Sequence, residues 1–220
     1  MSSRTTTSPM LESPGAGLPA FELTWLRLLF RLACRLISKS LGLRWFHFET
    51  RKILALANRV SAAQGSVPVL IKRIAGIEDS SRYWSVFMVL DHLRVVDEGI
   101  TLIVTTLTGN RLFPQEVRIQ DVKPNPASGH ETIDRFLNTA DGYESTVISL
   151  GTLGQTLRHP HPWFGPMTAH DWHCLAAIHH WVHRRQLERI VGMLGREVGT
   201  EGQQGKHDLQ TVTSPPRADR

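Results

Sequence analysis

His179-His180-Trp181-Val182-His183-Arg184-Arg185-Gln186 sets two imidazoles four residues apart, which on a helix places His179 and His183 on one face. That is the spacing of two metal ligands carried by one helix. Spacing alone is weak evidence, because eleven histidines among 220 residues yield roughly half an HxxxH pair by chance. The surroundings add weight. His161-Pro162-Trp163-Phe164-Gly165-Pro166-Met167-Thr168 leads into the helix, and Leu90-Asp91-His92-Leu93 supplies a third histidine upstream. Together, His92, His179 and His183 form a candidate three-histidine site. His180 has no histidine four residues on, so the pair is 179 and 183. A zinc-protease HExxH motif needs Glu where this chain has His180; the motif therefore lacks its general base, and a protease is not expected.

Working outward from that helix, apolar residues recur at helical spacing through most of the chain, and no stretch alternates long enough to argue for a sheet. The expected fold is all-α. Thr168 or Asp171 can start the last helix, which runs to about Gly195. Asp79-Ser80-Ser81 offer N-cap residues for a helix through Trp84 and His92 to about Leu107. A further helix is expected over 128–150, and two more over 19–40 and 44–63 with Gly42 between them. Residues 108–127, with Pro114, Pro124 and Pro126, and residues 151–167, with two His-Pro pairs, read as long connections. The Ser, Thr, Pro and Gly content of 1–18 and the polar composition of 199–220 predict disordered ends around one domain at 19–198.

Composition narrows the function. A net charge of +5 without a block of basic residues offers no nucleic-acid track, and no zinc-finger spacing or helix-turn-helix pattern is present. Two distant cysteines, Cys34 and Cys174, give no disulfide framework and fit a reducing, cytoplasmic setting, with Cys174 a packed small residue. Arg27, Arg31, Arg35 and Lys39 recur every fourth residue through an otherwise apolar segment. Burying three arginines in a bilayer would cost roughly 8 to 10 kcal/mol, so the segment is not a span. It is an amphipathic helix that either packs on the bundle or lies on a membrane surface.

Tyr83-Trp84-Ser85 with Asp91-His92-Leu93, the His161-to-Pro166 run, and His179 to Gln186 together resemble the DinB-like superfamily of metal-binding four-helix bundles, over residues 80–190. The resemblance implies that His92, from the second core helix, and His179 and His183, from the fourth, converge on a divalent metal, with zinc or nickel the leading choices. It also implies a metal-dependent enzyme, of transferase, isomerase or hydrolase type, acting on a small-molecule substrate. The cosubstrate would be a low-molecular-weight thiol or water, and homodimerisation through bundle helices is compatible with it.

Three neutral imidazoles leave a divalent ion its full charge and an open position, as catalytic sites require. Metal-bound histidines hand their other N–H to an acceptor, and Gln186, one turn beyond His183, or Asp91, beside His92, can serve. Tyr83 and Trp84 either line a pocket mouth or sit in the core. His159, His161, His170 and His173 have no helical pairing to His179 and are expected to be structural. The competing function is a non-catalytic helical interaction module, associated with a membrane surface through the helix at 21–40.

Overall fold

The computed structural model describes the backbone of residues 9–211 and the side chains of residues 9–196. Six helices follow one another as α1 (Ala20–Leu36), α2 (Lys39–Ala57), the single turn α3 (Ala62–Gly65), α4 (Val86–Thr108), α5 (Thr132–Ser149) and α6 (Ala169–Thr211). Four of them close a bundle. α2 packs on α5 and α6, and α4 packs on the same two helices, so the cross-section is a square with α4 and α2 at opposite corners. α1 is additional and rests on α6. Two short antiparallel hairpins accompany the helices: β1 (Val69–Leu70) pairs with β2 (Tyr83–Trp84), and β3 (His159–His161) with β4 (Gly165–Met167). The mostly helical expectation holds. Strands of two and three residues are too short for alternation to register in sequence.

Local chemistry fixes the helix starts. Ser85 accepts the Met88 N–H and so begins α4 six residues later than Asp79, which instead opens a 3₁₀ turn. Thr168 and Asp171 cap α6 reciprocally, each side chain accepting the other's backbone N–H at 3.2 and 2.9 Å. Between α1 and α2 the chain breaks at Ile37-Ser38, where the Ser38 hydroxyl accepts from Leu41 N–H; it does not break at Gly42. Gly42 lies inside α2, and a Cβ there would come within 2.7 Å of His173 Nε2, so the glycine serves close packing. Lys39 consequently belongs to α2 and points at the carbonyls of Leu150 and Gly151 rather than continuing the arginine row of α1.

The core divides in two along the bundle. One cluster gathers Phe87, Leu90 and Leu93 of α4 with Leu187 and Ile190 of α6; the other gathers Ile100, Ile103 and Leu107 with Trp172, Leu175 and Ala176. Because the helices run antiparallel, the stretches where these sets meet, 92–99 on α4 and 178–186 on α6, face each other halfway along the bundle. That middle layer is polar, with Asp97, His180 and Gln186 fully buried and His92 and His183 nearly so. At the ends, Glu12 N–H hydrogen-bonds Asp79, and the N–H groups of Gly15 and Gly17 hydrogen-bond Glu78. Residues 1–8 and 212–220, part of the segments expected to be disordered, lie outside the described residues.

Candidate metal centre

α4 contributes His92 to the polar layer and α6 contributes His179 and His183, one turn apart on the face toward α4. One ring nitrogen of each lies within 4.8 Å of the other two, and the Nε2 atoms of His92 and His179 are 3.1 Å apart. Two nitrogens bound to one zinc at 2.0–2.1 Å with a tetrahedral angle stand about 3.3 Å apart, so the spacing suits a shared ion. The three rings converge, with centroid separations of 4.4 to 5.0 Å and tilts near 60°.

Neighbouring groups decide which nitrogens are free. His92 Nδ1 lies 2.6 Å from the carbonyl of Val122, an acceptor only, so Nδ1 carries the proton and Nε2 is bare. Gln186 donates its amide N–H to the Ser81 carbonyl at 2.7 Å, which turns its oxygen toward His183 Nδ1, also at 2.7 Å. His183 Nδ1 is therefore a donor and its Nε2 is bare as well. His179 differs: its Nδ1 is buried and has no partner among the described residues, and the acceptor that faces it is the bare Nε2 of His92, 3.1 Å from its own Nε2. A buried orphan of this kind calls for a partner from outside the chain. Asp91 is engaged elsewhere, accepting from Arg94 and from Asn125 N–H.

Burial keeps the site uncharged. It pushes His92 down to about 4, outweighing the Val122 hydrogen bond and the nearby Asp91 charge. Burial also drives His179 and His183 well below the usual histidine range, and the neighbouring imidazoles add to the effect. Neutral imidazole is the form that binds a metal. Trp84 closes the inner side, buried in the core, its ring nearly parallel to His183 at 6.1 Å and 5.0 Å from His92.

Beside the three rings lies a cavity of about 340 Å³, at the lower end of the range for small-ligand sites. The connection between α4 and α5 contributes Phe113, Val117 and Val122 to its wall, and the β3–β4 hairpin contributes His161 and Phe164. Both long connections thus reach the site. The wall is mainly apolar, and its cations are engaged: Lys123 by Glu78 at 2.7 Å and Arg118 by Asp121 at 2.9 Å. His161 faces the cavity but is held by its own turn, Nδ1 accepting from the N–H groups of Trp163 and Phe164.

His180, His173 and His170 serve other partners, and His159, buried against Phe113 and Trp172, has no partner for its Nε2 among the described residues. His180 points away from the cavity into a sealed network: Nδ1 donates to Thr50 Oγ1 at 3.0 Å and Nε2 meets Asp97 Oδ2 at 2.8 Å. The Thr50 hydroxyl is committed to the Phe46 carbonyl, which makes its oxygen the acceptor. Burial raises the Asp97 carboxyl against the lowering pull of His180, and Asp97 Oδ1 has no partner among the described residues. His173 bridges the Tyr143 hydroxyl and the Lys39 carbonyl. His170 contacts the Cys34 carbonyl and the buried Cys174 thiol, and the Cys34 thiol and His170 lower Cys174 to about 6. None of these groups joins the three rings. The Val122 carbonyl and the Thr50–His180–Asp97 network have no signature in the sequence.

No protein-family model and no curated protein matches the chain. Among solved structures it resembles the crystal structure of TT2238, a four-helix bundle protein, at 19% identity and a TM-score of 0.51, over 69% of this chain and 98% of that one. At that identity the likeness speaks to the fold: this chain is a four-helix bundle, extended by α1 and by its long connections, with three histidines placed where they can hold a metal ion.

Proposed function

We propose that the protein is a metal-dependent enzyme of the DinB-like kind, with His92, His179 and His183 as ligands and Gln186 as the residue that orients His183. The observation that carries this reading is the pair of fixed tautomers: the Val122 carbonyl and the Gln186 oxygen each take an Nδ1 proton, leaving the Nε2 lone pairs of His92 and His183 turned toward His179 in a buried cluster beside a cavity, where among the described residues they meet no donor but another imidazole. A structural histidine spends its bare nitrogen on a protein donor, as His161 does; a ligand keeps it for the metal. A divalent ion, zinc or nickel, would supply Lewis acidity there, acidifying a water or a small thiol that shares the site and so furnishing a nucleophile at neutral pH.

The chain's own part is to bind and to exclude water. Phe113, Val117 and Phe164 surround the substrate's apolar body, and among the described residues the ion pairs of Lys123 and Arg118 leave no unpaired lining cation to recruit a carboxylate. The substrate class that fits is a small, largely apolar electrophile. The test is turnover by metal-free, zinc-loaded and nickel-loaded protein, of thiol transfer to an aryl halide and of ester hydrolysis. Activity that appears only on loading and is lost in His179→Ala supports the proposal. Rates equal to those of the metal-free protein, for every substrate and either metal, would count against catalysis at this site.

A further inference from the structure

α1 buries one face and leaves a second apolar face outward. Inward, Phe30 stacks on Phe164 with ring centroids 4.4 Å apart. Outward, Phe21, Trp25, Leu28, Leu29, Leu32 and Leu36 are each 50% to 78% exposed. At 100° per residue these six fall within an arc of about 100°, centred opposite Phe30, along roughly 23 Å of helix. Arg27, Arg31 and Arg35, all exposed, line one flank of that arc. The helix has a single acidic residue, Glu22, and it is engaged by Arg73 at 2.6 Å and by Gly76 N–H at 2.8 Å.

Charge decides what covers this face. A second copy docked through the same face would bring another α1 with the same three arginines and the same occupied glutamate, so α1 against α1 offers them no anion. A lipid surface offers both an apolar layer and phosphates. Among the described residues no helix is long and apolar enough to cross a membrane, which leaves a helix lying in the interface. We propose that α1 seats the protein on an anionic bilayer, its outward apolar side chains inserted at the headgroup boundary and Arg31 and Arg35 reaching lipid phosphates. This seating is independent of the metal centre.

The experiment is co-sedimentation of the full chain with vesicles of 70:30 phosphatidylcholine and phosphatidylglycerol, beside vesicles of phosphatidylcholine alone. Two double variants accompany it, Leu29→Ser with Leu32→Ser and Arg31→Glu with Arg35→Glu. All four positions are exposed, and circular dichroism checks that each variant is folded. Each cation near an anionic surface is worth about fivefold in partitioning, so binding to the mixed vesicles is expected to drop tenfold or more in the charge variant and on neutral vesicles. The leucine variant is expected to lose binding similarly. No sedimentation with the mixed vesicles, or undiminished binding by the leucine variant, would overturn the proposal. So would light scattering that shows a dimer split by the leucine substitutions, since the face would then seat a second copy.

Discussion

His179 and His180 are neighbours in the chain and opposites in the fold. His179 shares a face with His183, meets His92 across the helix pair and borders a cavity, and its Nδ1 has no protein partner among the described residues. His180, about 100° further round the helix, has both nitrogens engaged, by Thr50 and Asp97, in a fully buried pocket between Phe46 and Phe136. One cluster is left unsaturated and opens on a cavity; the other is nearly saturated and sealed. Burial alone therefore does not mark a functional histidine. What separates the two is whether the surrounding acceptors leave a lone pair unused.

The contrast can be broken first on the sealed side. Asp97→Ala leaves His180 Nε2 without its hydrogen-bond partner in a dry core, and leaving a buried polar group unsatisfied is expected to destabilise by about 3 kcal/mol. Urea unfolding measures it, and metal content should be unchanged in the protein that remains folded. On the open side, Gln186→Leu removes the acceptor that sets the His183 tautomer, and metal affinity should fall roughly 10- to 100-fold, read by competition with a chromogenic chelator. The loss of Gln186's bond to Ser81 will also lower stability, so affinity is to be read in the folded variant.

Acid sharpens the comparison next. The folded-state pKa of His92, about 4, lies below the unfolded value near 6.5, so between those values the unfolded chain binds the extra proton. Its contribution to stability is whole above pH 6.5 and is lost as pH falls toward 4. At 1.36 kcal/mol per unit it amounts to about 2 kcal/mol by pH 5. Denaturation of metal-free wild type and His92→Gln at pH 7.5 and pH 5 checks this, the variant being expected to show a smaller drop. The smallest effect is reserved for a histidine of neither kind. His47 sits on the surface beside Glu144 at 3.0 Å, and His47→Gln should change stability by less than about 1 kcal/mol and metal content not at all.

Much of this was legible in the chain. Helical periodicity gave an all-α bundle, and four-residue spacing put His179 and His183 on one face, because both depend on local geometry. Thr168 and Asp171 were readable as a cap for the same reason. Sequence and structure part where a residue's role depends on a distant partner. Gly42 looks like a helix break in sequence, but His173, far along the chain, packs where its Cβ would be. The acceptor for His92 is a backbone carbonyl at Val122, and any residue type carries a carbonyl, so no sequence signal exists for it. The partners of His180 come from two other helices, which is why its separation from His179 could be inferred from helical angle but its function could not. For α1 the arginine recurrence was legible, whereas the second apolar face emerged only once the first had been packed.

Metal binding is expected at the cluster of bare nitrogens and not at the sealed one beside it. The direct measurement is metal content by mass spectrometry, on untagged protein prepared without chelator or nickel column and then reloaded with zinc or nickel, for wild type, His92→Ala, His179→Ala, His183→Ala and His180→Gln. About one equivalent is expected in wild type and in folded His180→Gln, and loss of the tightly held ion in each of the other three. Wild type that retains no ion after reloading, or an ion that survives all three alanine substitutions, would contradict that expectation.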